Sequence, residues 1–271
     1  MNEALKRLSE CRQTGAKTNI TDIEISEFIY ATDLEKEIEL KKMKKATPAR
    51  IGIGHAGARY KTVPELRFLA DQAAAADAVF TEVPDEVVQA LGVFEVKTRC
   101  NDKYEMLTRP DYGRIFEEDA KQKILSGCTY APDVQIYFGD GLCSPSIAAN
   151  IPDLYKTIEL GLKDKNIRVG TPFFVRYCRV NTARTIGPLL NAPVVCVLIG
   201  ERPGLLTCES MSAYIAYNPR PDMSESEYTV VSNISRHGIP PVEAAAHIVD
   251  LLAEILEKKC SGIAFAELHG K

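Results

Sequence analysis

Long apolar runs are missing from this 271-residue sequence. None approaches the ~20 residues that span a bilayer, so no membrane-spanning helix is expected. An excess of one charge is missing too. Thirty-three basic and 37 acidic residues leave a formal charge of −4, with both signs mixed along the chain. That balance gives no electrostatic reason to expect nucleic acid or an anionic membrane as partner. Paired cysteines are a third absence. Cys11, Cys100, Cys128, Cys143, Cys178, Cys196, Cys208 and Cys260 are scattered, with no CxxC and no paired spacing with histidine. The pattern speaks against a zinc or iron–sulfur site and for reduced thiols. Cys178 and Cys196 lie in strand-like apolar runs, where a thiol behaves as a small hydrophobe. The opening MNEALKRLSECRQTG lacks the apolar core and small-residue cleavage site of a secretory signal. A cytoplasmic protein without a metal site is the expectation.

What is present divides into two parts. Residues 1–48 are charged and helix-forming. DLEKEIELKKMKKATP is rich in Glu and Lys and reads as a solvated helix closed by Pro48. Such an arm either decorates the surface or packs on another subunit. The expected domains are this helical N-terminal arm, 1–48, and an α/β domain, 49–271. In the second part, ARIGIGHAGARY reads as a short β-like run with a turn at Gly54 and Gly57. A helix follows, with Leu66, Leu69, Ala70, Ala73 and Ala74 at helix-face spacing and Thr62, Pro64 and Glu65 at its start. VFEVKT, DVQIYFGDGL, TPFFVRYCRV, APVVCVLIG, SAYIAYNP and EYTVVSNI read as strands. Between and after them, SPSIAANIPDLYKTIELGLKDKNI is helical with Pro152 as a possible break, and NTARTIGPLL is a short helix. IPPVEAAAHIVDLLAEILEKKCSG is a long helix presenting Val242, Ala245, Val249, Leu252 and Leu256, with Gly262 after its end. Strands alternating with helices predict an α/β fold, a Rossmann-like parallel sheet flanked by helices.

In such sheets ligands bind at the carboxyl ends of the strands. Four turns leave such ends: GDGLCS at 139–144, RVNTA at 179–183, GERPGLLTCES at 200–210 and SNISRHG at 232–238. None of the four matches the dinucleotide pattern G-x-G-x-x-G or the P-loop, so a nicotinamide or nucleoside-triphosphate enzyme is poorly supported. Glu201 is informative, because a carboxylate at a strand end repels phosphate but accepts from amide N–H and hydroxyl groups. It either meets a ligand that presents donors or forms a structural ion pair with Arg202 or Arg59. His55, His237, His247 and His269 have no partnered acid or nucleophile, and no Ser-His-Asp set or pair of catalytic carboxylates emerges. From the residues alone this is a ligand-binding α/β domain without catalytic machinery.

Several long stretches are familiar in combination. ARIGIGHAGARYKT with LRFLADQAAAADAVFTEVP, LTRPDYGR, PDVQIYFGDGL, GTPFFVRYCRV, LIGERPGL with ESMSAYIAYNPR, and TVVSNISRHGIPPVEAAAHIVDLL resemble small (light) subunits of ethanolamine ammonia-lyases, from about Thr47 to Gly262. The first 46 residues carry none of the match. The resemblance implies an adenosylcobalamin-dependent lyase that converts ethanolamine to acetaldehyde and ammonia. A large subunit, a (β/α)8 barrel, holds the substrate, and the small subunit seats the cofactor at the interface. The resemblance further implies an α6β6-type hetero-oligomer within a bacterial microcompartment. Residue by residue it assigns cobalamin contacts to Glu201, Val180 and Val230, and Arg179 beside Val180 becomes a further contact to the nucleotide loop or its phosphate. It assigns no acid, base or nucleophile to this chain. Two departures stand out: Val230 falls where some members carry cysteine, and His55 where arginine is common. Asp-x-His-x-x-Gly, whose histidine would replace the cofactor's own base as cobalt ligand, is absent, so base-on binding is expected. Two other classes stay in view. A free-standing cobalamin carrier would bind the corrin without a large subunit, and a stand-alone hydrolase or transferase would need a nucleophile with its base.

Overall fold

The computed structural model describes residues 19–23, 25, 28–32 and 35–270. The chain divides into two compact units, Met1–Ala76 and Asp77–Lys271.

In the first unit, the Glu/Lys-rich run forms helix α1 (Glu37–Lys45), with Glu37 and Glu39 in its first turn and Lys42, Lys44 and Lys45 in its last. That order complements the helix dipole. Ile38 and Met43 stay exposed, so α1 is the solvated helix its composition predicts. It ends at Lys45, before Pro48. The arm's first 18 residues lie outside the described residues. Strands β1 (His55–Ala56) and β2 (Arg59–Tyr60) then form a two-stranded antiparallel hairpin about Gly57. Residues 52–57, GIGHAG, spell G-x-G-x-x-G, yet the pattern lacks its context. Among the described residues no parallel strand leads into it, and its last residues turn back as the hairpin. Helix α2 (Thr62–Phe80) begins at Thr62. Its predicted apolar face is real in periodicity but not buried: Leu66 and Leu69 are exposed. Within this unit the covered side carries Pro64 and the ion pairs of Arg50 and Arg67 with Asp71.

The second unit is built on a six-stranded sheet in the order β3-β5-β4-β6-β7-β8. The strands are β3 (Phe94–Lys97), β4 (Val134–Gly139), β5 (Phe173–Arg176), β6 (Val194–Gly200), β7 (Met211–Tyr217) and β8 (Tyr228–Ile234), and the short helices α3 (Asp85–Ala90) and α4 (Lys103–Thr108) flank β3 in the chain. The sheet is α/β as expected, but it is mixed. β3, β5, β4 and β6 pair in parallel, whereas β7 and β8 join antiparallel. Connection length explains the difference. Parallel neighbours need a crossover of about a dozen residues or more, normally helical. The links leaving β4 and β5 carry helices α6 (Pro145–Asp164) and α7 (Ala183–Leu190). The ten-residue link 201–210 carries none, so β7 turns straight back along β6.

Alternation along the strands splits the core in two. Val134, Ile136, Phe138, Cys196 and Leu198 face α6 and α8 (Pro241–Lys258) on one side of the sheet. Tyr137, Phe173, Val195, Val197 and Ile199 face α5 (Glu118–Gly127) and α7 on the other. The aromatic rings of Phe94, Phe173 and Tyr137 stack in series at 5.4 and 5.3 Å. Helix α6 runs unbroken through Pro152. The carbonyl of Ala148, left without its usual N–H partner by the proline, belongs to an exposed residue that water can reach. In α8 the buried face is Ala244, Ala245, Ile248, Val249, Leu252 and Ile255, while Val242 is exposed. The left-handed cap of α8 is Lys259 (φ 55°), and Gly262 instead precedes the closing helix α9 (Ile263–Leu268). Among the described residues no helix is long and apolar enough to cross a membrane.

Candidate functional site at the carboxyl rim of the sheet

β8 runs antiparallel to β7, and β7 antiparallel to β6, so β4, β5, β6 and β8 all point the same way. Their ends deliver the four turns named from the sequence to one rim. The turns do not behave alike.

The turn after β4 is sealed. Gly139, Asp140, Gly141, Cys143 and Ser144 are all buried. Gly141 adopts φ +55°, and a Cβ there would meet the carbonyl of Gly200 at 2.2 Å. Asp140 forms a buried ion pair with Lys103 at 3.3 Å. The lysine also donates to the carbonyl of Gly141 at 2.8 Å. The Asp140 carboxylate accepts the backbone N–H groups of Tyr177 (2.9 Å) and Cys178 (2.8 Å). Tyr177 sits at φ 56°, a left-handed conformation that costs a non-glycine residue on the order of 1–3 kcal/mol. Asp140 and the hydrogen bond from Tyr177 Oη to Glu82 (2.9 Å) hold it there. The Gly-Asp-Gly turn is therefore a structural clamp that fixes the following segment, Arg179–Val180, and it offers no open ligand surface.

Arg179 is tied at both ends. Its backbone N–H donates to Gly113 O (2.9 Å) and its Nη2 to Met106 O (2.8 Å). Its Nε is buried with no hydrogen-bond partner among the described residues. Burial, followed by the charge of Arg114, holds its guanidinium below the ordinary arginine range. Val180 opens a short 3-10 turn, Val180–Thr182, and is half-buried. Arg179 and Val180 line a cleft of about 240 Å3 together with Arg114, Asn181, Tyr214 and Glu225.

Glu201 follows β6 on the face that carries Ile199. Its carboxylate accepts from Ser210 Oγ at 2.5 Å, from the hydroxyl of Ser212, and from the backbone N–H of Asn233 at 3.0 Å. Among the described residues of its own unit it makes no salt bridge, so the ion-pair alternative with Arg202 is not realised. A carboxylate offers about four acceptor positions, and three are filled by groups that leave its negative charge unneutralised. The same turn is anchored from below, where Cys143 Sγ donates to Cys208 O at 2.5 Å and Asn150 Nδ2 to Glu209 O at 2.7 Å. Its tip, Gly204 to Leu206, is exposed.

Val230 lies on the edge strand in register with Tyr214, at 40% exposure. Burial, followed by the charge of Glu201, raises the hydroxyl pKa of Tyr214. Tyr214 thus connects the proposed residues: it lines the cleft with Arg179 and Val180, pairs in register with Val230, and feels Glu201. A β-bulge between Met211 and Ala213 shifts β7 against β8 at this rim, and bulges near sites commonly re-aim side chains. The histidines stay apart. His237 and His247 are exposed, and His269 bonds Glu254 at 2.7 Å. His55 belongs to the first unit.

Arg114, Asn181 and Tyr214 escape a reading of the sequence. Arg114 sits in LTRPDYGR and Tyr214 in a strand, and neither has a local pattern that marks a ligand contact. Asn181 lies inside the RVNTA turn, where only its burial distinguishes it.

The family described as ethanolamine ammonia-lyase light chain (EutC) matches residues 37–266. A protein of Clostridium perfringens named ethanolamine ammonia-lyase small subunit is 46% identical over 263 residues, covering 97% of this chain and 89% of that protein. Proteins of the same name from Listeria innocua and Clostridium tetani are each 47% identical, over 249 and 251 residues, covering 92% and 93% of this chain and 85% of each relative. With most of its length matched by the family and by these relatives, the chain belongs to the ethanolamine ammonia-lyase small-subunit family.

Proposed function

We propose that this chain is the cofactor-seating subunit of an adenosylcobalamin-dependent ethanolamine ammonia-lyase, and that Glu201, Val180, Val230 and Arg179 form its side of the cobalamin seat. The observation that carries the reading is the Glu201 carboxylate. It is a preorganised anion without a counter-cation among the described residues of its unit, on the same face as an exposed Val230. The corrin ring is fringed with carboxamides, whose N–H groups suit such an acceptor, and its apolar edge suits a valine. Asn181 supports the fit: it is 8% exposed, and its Oδ1 has no partner among the described residues. A buried acceptor left open is normally satisfied by something.

When bound, adenosylcobalamin supplies the radical chemistry that protein side chains lack. The role of this chain is to hold and orient the cofactor. Glu201 would hold an amide edge, Val180 and Val230 would exclude water from the ring, and Arg179 would contact the nucleotide tail. No residue of this chain acts as acid, base or nucleophile in this reading, and the substrate sits on a large-subunit partner. The parallel half of the sheet, with helices on both faces and β4 where the strand order reverses, serves as a Rossmann-like platform. Assembly with the large subunit as an α6β6-type oligomer, housed in a bacterial microcompartment, belongs to the same proposal and is supported by the family resemblance alone.

The test is acetaldehyde and ammonia release from ethanolamine plus adenosylcobalamin, with this chain alone and with its large subunit. Turnover only in the mixture is expected. A well-folded mixture that stays inactive would overturn the reaction.

A further inference from the structure

The 240 Å3 cleft beside Val180 is smaller than the pockets that enclose whole drug-sized ligands, about 300–1,000 Å3. It admits a substituent and excludes a macrocycle. Its charge is uneven. Glu225 is the carboxylate on its wall, and that charge is matched by Arg184 at 3.0 Å. Arg114 and Arg179 have no carboxylate partner among the described residues. They come together because Gly113 packs directly on the Arg179 side chain, where a Cβ would meet Arg179 Cγ at 2.8 Å. Two arginines therefore line one small cleft with no carboxylate partner among the described residues. Asn181 adds an independent mark. Its Nδ2 donates to Glu225 Oε1 at 3.0 Å, which fixes the amide's orientation. Oδ1 is then the buried, unpartnered atom, as Nε is on Arg179. The cleft thus combines two unmatched cations, an orphan donor and, beside them, an orphan acceptor.

We infer that this cleft is a phosphodiester subsite, in which Arg114 and Arg179 bind the phosphate and Asn181 Oδ1 accepts from an N–H or O–H group next to it. The inference rests on the cobalamin reading and extends it. The phosphodiester of the cofactor's nucleotide tail lies between an amide N–H and a ribose hydroxyl, which is the donor–anion sequence the cleft complements. Arg114 and Asn181 become binding residues that set a preference for the complete cofactor over corrinoids lacking the tail.

The experiment measures equilibrium binding of cyanocobalamin, cobinamide phosphate and cobinamide to the complex with the large subunit, followed by corrinoid absorbance after rapid filtration. Arg114 is exposed and its side chain makes no hydrogen bond among the described residues, so Arg114→Gln should fold normally. It is expected to weaken cyanocobalamin and cobinamide phosphate about tenfold, as the loss of one charged contact predicts. Cobinamide affinity should not change, and Arg114→Lys should recover part of the loss. Asn181→Ala should weaken cyanocobalamin, which keeps the tail's ribose donor, more than cobinamide phosphate. Equal loss for all three ligands in Arg114→Gln, or no loss for any, would overturn the phosphodiester subsite and leave the cobalamin reading intact. If the wild-type complex bound none of the three, the cobalamin reading itself would fall.

Discussion

The turn after β4 and the turn after β6 leave paired parallel strands at one rim, and each places an acid directly after a strand-ending glycine, Asp140 after Gly139 and Glu201 after Gly200. Asp140 is buried against Lys103 and two backbone N–H groups. Glu201 is half-exposed, held by two serine hydroxyls and one N–H, with no cation paired to it among the described residues of its unit. The first carboxylate is consumed by the fold, and the second is kept in shape by it. An acid at a strand end is thus informative only once its partners are known. A buried counter-cation marks a clamp, and neutral donors at an open face mark an available acceptor.

The comparison can be broken at either acid. Asp140→Ala strands the Lys103 ammonium in the interior and releases the left-handed turn at Tyr177. Leaving a buried charge unpaired costs about 3–5 kcal/mol, so urea denaturation should show a loss of that size or failure to fold. Glu201→Gln keeps one acceptor oxygen and should cost about 1 kcal/mol or less in the same assay. In the reconstituted complex it should weaken cobalamin about tenfold. Equal stability losses at the two positions would erase the distinction drawn here.

Alkaline pH sharpens the contrast with a smaller effect. Cys143 lies in the clamp turn, and burial pushes its thiol up to about 11. A folded-state pKa above the unfolded value of about 8.5 means that the neutral thiol's contribution is complete below that pH. It is lost as pH rises toward about 11. Melting temperature should fall over that window in the wild type and fall less in Cys143→Ala. Val230→Ser should have the smallest effect on the fold, within about 0.5 kcal/mol, as for most exposed positions. It should still lower cobalamin affinity by removing apolar contact.

Much of the sheet was legible because β4 and β6 are continuous apolar runs and because α6 and α8 repeat at helical spacing. The antiparallel half was misread from strand alternation alone. The signal was the helix-free link 201–210, too short for a parallel crossover. The turn ends were legible as a rim, but their opposite roles were not, since Lys103 meets Asp140 across 37 residues and no local pattern marks that pairing. Glu201 stood out by its place after a strand. Arg114 did not, because its meaning depends on Gly113 letting Arg179 approach. The apolar face of α2 was visible as a period, but sequence spacing cannot say whether a partner in the same unit covers it.

The central claim is that the open turn, and not the clamp, meets the cofactor. Amide hydrogen exchange of the reconstituted complex with and without adenosylcobalamin tests it directly. Protection should rise at 179–182, 201–210 and 230–234, while 139–144 exchanges slowly in both states and does not change. Protection confined to 139–144, or none in the other three segments despite bound cofactor, would contradict the account.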